Sequence, residues 1–155
     1  MENCKYFKMV KKKVSSLMRI YRIMRTAYLK RIPILPGFLM RLIRILYSCD
    51  LPYKCNLGKG VILKHNGLGV VIHPAAIIGD GTMIYQNVSI AGRNNRGTSV
   101  IGKNVFIGAG ACILGGVSIG DNVVIGANAV VITDLPDGAV AVGVPAIIKK
   151  INQNI

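Results

Sequence analysis

At 155 residues and 52 % hydrophobic content, with six Tyr, three Phe and no Trp, the chain can bury a core, but only an aliphatic, regularly patterned one. The formal charge of +14 comes from 20 Lys and Arg against 6 Asp and Glu, and residues 1–49 hold twelve of the basic residues beside one acid, Glu2. Cys4, Cys49, Cys55 and Cys112 have neither metal-ligand spacing nor the density of a secreted disulfide scaffold, and no apolar run reaches membrane-spanning length, so a cytoplasmic protein with free thiols is expected.

Residues 1–9 read as a loose start. From about Val10 to Lys30, the residues Val10, Val14, Leu17, Tyr21, Met24 and Tyr28 recur at helical steps, with Lys12, Arg19, Arg22 and Lys30 largely on the other side. Pro33 and Pro36–Gly37 end this basic helix in a turn, and a second helix is predicted from Phe38 to Tyr47, carrying Arg41 and Arg44. Two readings of the segment stand. It caps the open end of the domain that begins near residue 50, or its basic and apolar faces (residues 10–47) contact an anionic membrane surface, which would put the protein at the inner face of the membrane. Nucleic acid is not expected as a partner, because no recognition motif or aromatic platform accompanies the charge.

From Leu57 to Leu135 the chain repeats every six residues. Leu57, Leu63, Ile72, Ile78, Ile84, Ile90, Ile101, Ile107, Ile113, Ile119, Ile125 and Val131 are spaced by six except after Leu63 and after Ile90, where three and five residues are extra. A second small or β-branched residue follows most anchors at the fourth position, as in Val61, Ala76, Thr82 and Val88, and glycine directly follows six of them. Period six is neither helical nor a simple alternating strand; it predicts a solenoid of short strands and corners, with glycines supplying unusual backbone angles at the corners. The interval after Leu63 is a bulged corner, and the polar run from Ala91 to Val100 must leave the coil as a loop, a common place for function on a rigid scaffold. Coils continue to Thr133, a turn covers Asp134–Gly138, and Lys149 and Lys150 begin a basic tail.

The chain has two histidines. His65 lies two positions after its anchor, and the same position one coil higher each time is Gln86, then Ala109, then Ala127. A base at the foot of a smooth alanine–glycine track suits a long thin ligand that presents its reactive end to the imidazole; a structural histidine is the alternative. His73, directly after an anchor and before Pro74, reads as a corner residue. Two histidines at unlike repeat positions do not make a three-histidine zinc site, so no metal is expected.

From Asp50 onward the chain resembles the serine acetyltransferases and the related bacterial sugar and capsule O-acetyltransferases. The resemblance rests on Asp50-Leu51-Pro52 with Leu63 to Val71, on Gln86 to Gly92, and on Ile107 to Ala111, Ile125 to Ala129 and Gly143 to Ala146. It implies a mainly β fold, a left-handed parallel β-helix over residues 50–148, with a short α-helical segment over 1–49 and a tail over 149–155. It implies acetyl-CoA as the acetyl donor, His65 as general base and Asp50 as the carboxylate that orients it. Gly92, Ala109 and Ala127 would line the acetyl-CoA channel, Lys149 or Lys150 would meet CoA phosphates, and a homotrimer would hold CoA between prisms. Three departures bear on the acceptor. Lys64 stands where serine acetyltransferases usually carry an acid, the loop offers Arg93 and Arg96 without a histidine, and the helical N-terminus is short. With Gln86, these residues would face the acceptor, expected to be a sugar hydroxyl of a surface polysaccharide. Serine is the alternative acceptor, and a non-catalytic scaffold the alternative class.

Overall fold

A computed structural model describes residues 15–93 and 97–152; Cys4, Val10, Lys12, Val14 and Arg96 lie outside the described residues. Helix α1 (Ser16–Leu29) opens at Ser15, whose hydroxyl accepts the Met18 N–H at 3.3 Å and so satisfies one free amide of the first turn. Leu17, Met18, Tyr21, Met24 and Ala27 are buried at three- and four-residue steps. All but Ala27 join the same apolar cluster as the repeats. Tyr28, expected on this stripe, is exposed, and its ring lies 5.0 Å from that of Tyr53. The Tyr21 hydroxyl donates to the Cys55 carbonyl at 2.8 Å and accepts the Leu57 N–H at 3.2 Å. Arg25 donates to the carbonyls of Tyr53 and Lys54 at 3.0 and 2.8 Å. Helix α1 is thus a cap on the first coil, and the boundary near residue 49 is a change of secondary structure within one core.

Helix α2 (Leu35–Tyr47) starts earlier than the sequence predicts. Pro36 and Gly37 do not form a turn; they occupy its first turn, where the N–H that proline lacks would have had no partner.

Three sheets wall a prism. The first holds β1 (Asn56–Leu57), β4 (Ile77–Ile78), β7 (Val100–Ile101) and β10 (Ser118–Ile119). The second holds β2 (Ile62–Leu63), β5 (Met83–Ile84), β8 (Phe106–Ile107), β11 (Val124–Ile125), β13 (Ala139–Val142) and β14 (Ile147–Ile151). The third holds β3 (Val71–Ile72), β6 (Ser89–Ala91), β9 (Cys112–Leu114) and β12 (Val130–Val131). Anchors stack on anchors: Leu63 pairs with Ile84, Ile84 with Ile107, and Ile107 with Ile125. Eleven of the twelve anchors are buried; Leu57, on the first coil, is half-buried. The residues four positions on, from Val61 to Ala129, are buried as well, so each coil contributes two inward side chains per side of the prism.

The glycines directly after anchors have a different reason from the one expected. None of the six has a left-handed φ; a Cβ on Gly108 would lie 2.6 Å from the Ala127 nitrogen of the next coil, so these sites need the missing side chain for close stacking. The left-handed corner falls two residues later, where Gly60, Gly81 and Gly110 alternate with Asn66, Asn87, Asn104, Asn122 and Asn128.

The bulged corner, Lys64–Gly67, is a tight non-helical turn in which His65 and Asn66 take left-handed backbone angles, φ 50° and 53°. Gly67 closes it at φ 71°, with Leu17 and Cys49 so near that a Cβ would sit 3.0 Å from each. Burial pushes the Cys49 thiol up to about 12 and that of Cys55 up to about 11, which keeps both protonated and unreactive at neutral pH.

The tail expected from residue 149 is, through Ile151, part of strand β14, which turns back at Gly143 (φ 97°) and pairs antiparallel with β13. The last parallel strand offers an open edge, and the chain covers it with its own end.

Candidate active site

The corner between the second and third sheets carries His65, Gln86, Ala109 and Ala127, one above the other as the repeat arithmetic requires. The register of β2, β5, β8 and β11 fixes the stack. The Gly110 N–H donates to the Gln86 carbonyl and the Asn128 N–H to the Ala109 carbonyl, each at 2.9 Å. Ala109 is half-buried and Ala127 exposed, leaving a smooth upper track.

His65 stands exposed at the foot of this track. Its ring lies 6.2 Å from that of Tyr85, which in turn lies 5.1 Å from Phe106. The Lys64 ammonium sits 5.8 Å from the centroid of Tyr85, within cation–π range. Sequence reasoning misses Tyr85 as a site residue, although a signal exists. At the position just after the anchor this corner reads Lys64, Tyr85, Gly108, Gly126, so the two lower coils carry bulk where the two upper ones are bare.

Gln86 supplies a second signal. Its Oε1 is buried without a hydrogen-bond partner, the one such side-chain atom among the described residues. A buried carbonyl oxygen left unpaired is costly, so a donor from a water, a ligand or a neighbouring chain would be favoured there.

Asp50 is held one coil below Val71: its N–H donates to the Val70 carbonyl at 2.8 Å, and its carbonyl accepts the Ile72 N–H at 3.0 Å. Its carboxylate does not orient His65 here. Oδ1 accepts from Arg44 Nη2 at 2.7 Å, and this bond, with the attraction of the carboxylate charge, raises the guanidinium pKa. Arg44 also escapes sequence reasoning, which sees one more surface cation on a basic helix. Asp50 and Arg44 line a cleft of about 410 Å3 between α2 and the prism, with Met40, Tyr53, Lys54 and His73. His73 keeps its corner role, its Nδ1 accepting the Ala75 N–H at 3.2 Å.

The remaining expected residues lie on other parts of the prism. Gly92 is at the next corner, between the third and first sheets, where a Cβ would approach His73 Nε2 at 3.7 Å. Arg93 is exposed at that corner, over a cleft of about 260 Å3 formed with residues 114–117 and Asp134. Lys149 is exposed on β14, the outermost strand of the second sheet. One chain therefore brings His65, Gln86, Ala109 and Ala127 together, places Gly92 and Arg93 at another corner, and puts Lys149 on the strand beyond β13 of the second sheet. Among the described residues, no three His, Cys, Asp or Glu side chains gather as a metal site.

Residues 98–133 match the family model described as bacterial transferase hexapeptide (six repeats). The chain is 38 % identical over 128 residues to the serine acetyltransferase of Synechococcus elongatus, covering 81 % of this chain and 52 % of that one. With the serine acetyltransferase of Helicobacter pylori (strain J99) it shares 36 % identity over 129 residues, 81 % of this chain and 75 % of the relative. A solved serine acetyltransferase in complex with CoA superposes with a TM-score of 0.79 at 31 % identity, over 85 % of this chain and 55 % of that structure. The chain thus spans about half the length of the cyanobacterial relative and about three quarters of the Helicobacter one. The prism is the left-handed parallel β-helix of hexapeptide repeats, and the chain belongs to the serine acetyltransferase family of hexapeptide-repeat transferases.

Proposed function

We propose that the chain is an acetyl-CoA-dependent O-acetyltransferase with His65 as its general base. The observation that carries this reading is the single corner stack of an exposed imidazole, an unpaired buried amide oxygen on Gln86 and the bare Ala109–Ala127 track above them. The imidazole removes the proton of an acceptor hydroxyl as its oxygen attacks the thioester carbonyl. The tetrahedral intermediate collapses with cleavage of the C–S bond, and the imidazolium returns the proton to the leaving thiolate. The thioester is already activated, so no acetyl-enzyme is required. The relative solved in complex with CoA supports CoA as the ligand, and the bare track suits its pantetheine arm. Gly92 and Arg93 reach such an arm only from a second chain, because they sit on a different corner; this supports a homotrimer with the site between prisms.

Serine is the acceptor that the relatives support, since those matched are serine acetyltransferases. A carbohydrate hydroxyl is the second reading, and one feature of the site favours it. A free amino acid brings an ammonium, but the residue before His65 is the cation Lys64, and Asp80, Asp121, Asp134 and Asp137 each accept a backbone N–H elsewhere on the prism. Only Asp50, already paired with Arg44, lines the cleft beside α2. Steady-state kinetics with L-serine and a panel of sugars separates the two. If serine is the acceptor, wild type saturates with it and outperforms every sugar. If the carbohydrate reading holds, wild type prefers a sugar, and Lys64→Asp raises kcat/KM for L-serine by roughly tenfold or more as like charge becomes opposite charge.

A further inference from the structure

The outer face of helix α2 has no cover among the described residues. Of its thirteen residues, nine besides Pro36 and Gly37 are apolar or aromatic, yet only Pro36 and Ile43 are buried. Leu35, Phe38, Ile45 and Leu46 are exposed along the outward side, with Leu42 half-buried between them. Phe38 is 58 % and Ile45 79 % exposed. The stripe runs into the α1–α2 turn, where Leu29, Ile32 and Ile34 are exposed as well. Ile34 is 86 % exposed at φ 68°, a strained setting for a β-branched residue whose side chain the turn projects into solvent. A helix so apolar around its circumference is normally buried on every side.

The charge around this face is of one sign. Lys30 and Arg31 at the turn and Arg41 on α2 are exposed, from residue 15 to residue 49 the sequence has no acid at all, and the next acid, Asp50, is bonded to Arg44 in the cleft. Two such faces set against each other would oppose cation to cation, which argues against a second copy as the cover. A protruding apolar stripe flanked by Lys30, Arg31 and Arg41 matches an anionic bilayer, whose interface accepts the apolar side chains and whose headgroups attract Lys and Arg.

We propose that α2 and the α1–α2 turn dock on an anionic lipid surface, with Ile34, Phe38 and Ile45 entering the interface and Lys30, Arg31 and Arg41 meeting headgroups. No described helix is long and apolar enough to cross the bilayer, so the contact is peripheral. Because Met40 and Arg44 of the same helix line the cleft with Asp50, docking brings that cleft close to the lipid surface. The proposal does not depend on the acetyl-transfer reading.

Co-sedimentation of the full chain with vesicles tests it. Wild type should pellet with phosphatidylcholine–phosphatidylglycerol vesicles, stay in solution with pure phosphatidylcholine, and be released by salt. Phe38→Ser with Ile45→Ser should weaken partitioning at least roughly tenfold by removing two large apolar side chains. Lys30→Glu with Arg31→Glu should weaken it by roughly fivefold or more per residue. Both variants should keep the wild-type melting temperature and oligomeric size, since the altered side chains are exposed. Wild type that stays in solution with anionic vesicles, or either variant pelleting like wild type, overturns the proposal. A serine pair that lowers the oligomeric size without lipid also overturns it, because a second copy would then be the cover.

Discussion

His65→Ala should lower acetyl transfer by roughly 10²- to 10⁴-fold, the usual loss when a positioned base is removed, while acetyl-CoA binding stays close to wild type. The reason is the division of labour along the corner. His65 sits exposed at the foot, whereas Ala109 and Ala127 of the track lie two and three coils above it. Single-turnover rates with saturating acceptor, beside calorimetric binding of acetyl-CoA, separate the chemical step from donor affinity. Asp50→Asn should cost less than His65→Ala, because the Asp50 carboxylate is bonded to Arg44 and not to the imidazole. Near-normal turnover by the His65 variant would remove the mechanism proposed.

Ala127→Leu and Ala109→Leu should weaken acetyl-CoA binding by roughly tenfold or more, through a steric clash built into the track, with little change in melting temperature. Ala127 is exposed and Ala109 half-buried, so the added bulk points away from the core, and surface changes of this kind usually move stability by about 0.5 kcal/mol or less. Binding calorimetry and thermal unfolding on the same variants check both halves. A variant that unfolds would show that the face was assigned wrongly; one that binds acetyl-CoA like wild type would show that the arm lies elsewhere.

The period-six anchors make the prism legible because each coil has the same packing problem and solves it with the same residue type. Even the vertical stack of His65, Gln86, Ala109 and Ala127 comes from counting. The corner glycines mislead because two physical demands, close stacking at Gly108 and a left-handed backbone at Gly110, fall two residues apart and both select glycine. The contacts of Tyr85 and Arg44 are hard to read in the sequence for another reason. Their partners, His65 and Asp50, are 20 and 6 residues away and meet them only through the stacking of coils and the packing of α2. The proline at position 36 reads as a helix stop, although a first helical turn tolerates it. The expectation of a sugar over serine comes from three departures, Lys64, the histidine-free loop and the short helical N-terminus, and the relatives support serine instead.

The most direct test of acetyl transfer at the His65 corner is the release of CoA thiol from acetyl-CoA by the purified full chain, with and without L-serine or a sugar panel, and mass spectrometry of the acceptor. Acceptor-stimulated thiol release with one acetyl group gained per CoA freed, and its loss in His65→Ala, is the predicted result. No acetyl-CoA binding and no thiol release with any hydroxyl acceptor would contradict it and leave the prism a non-catalytic scaffold.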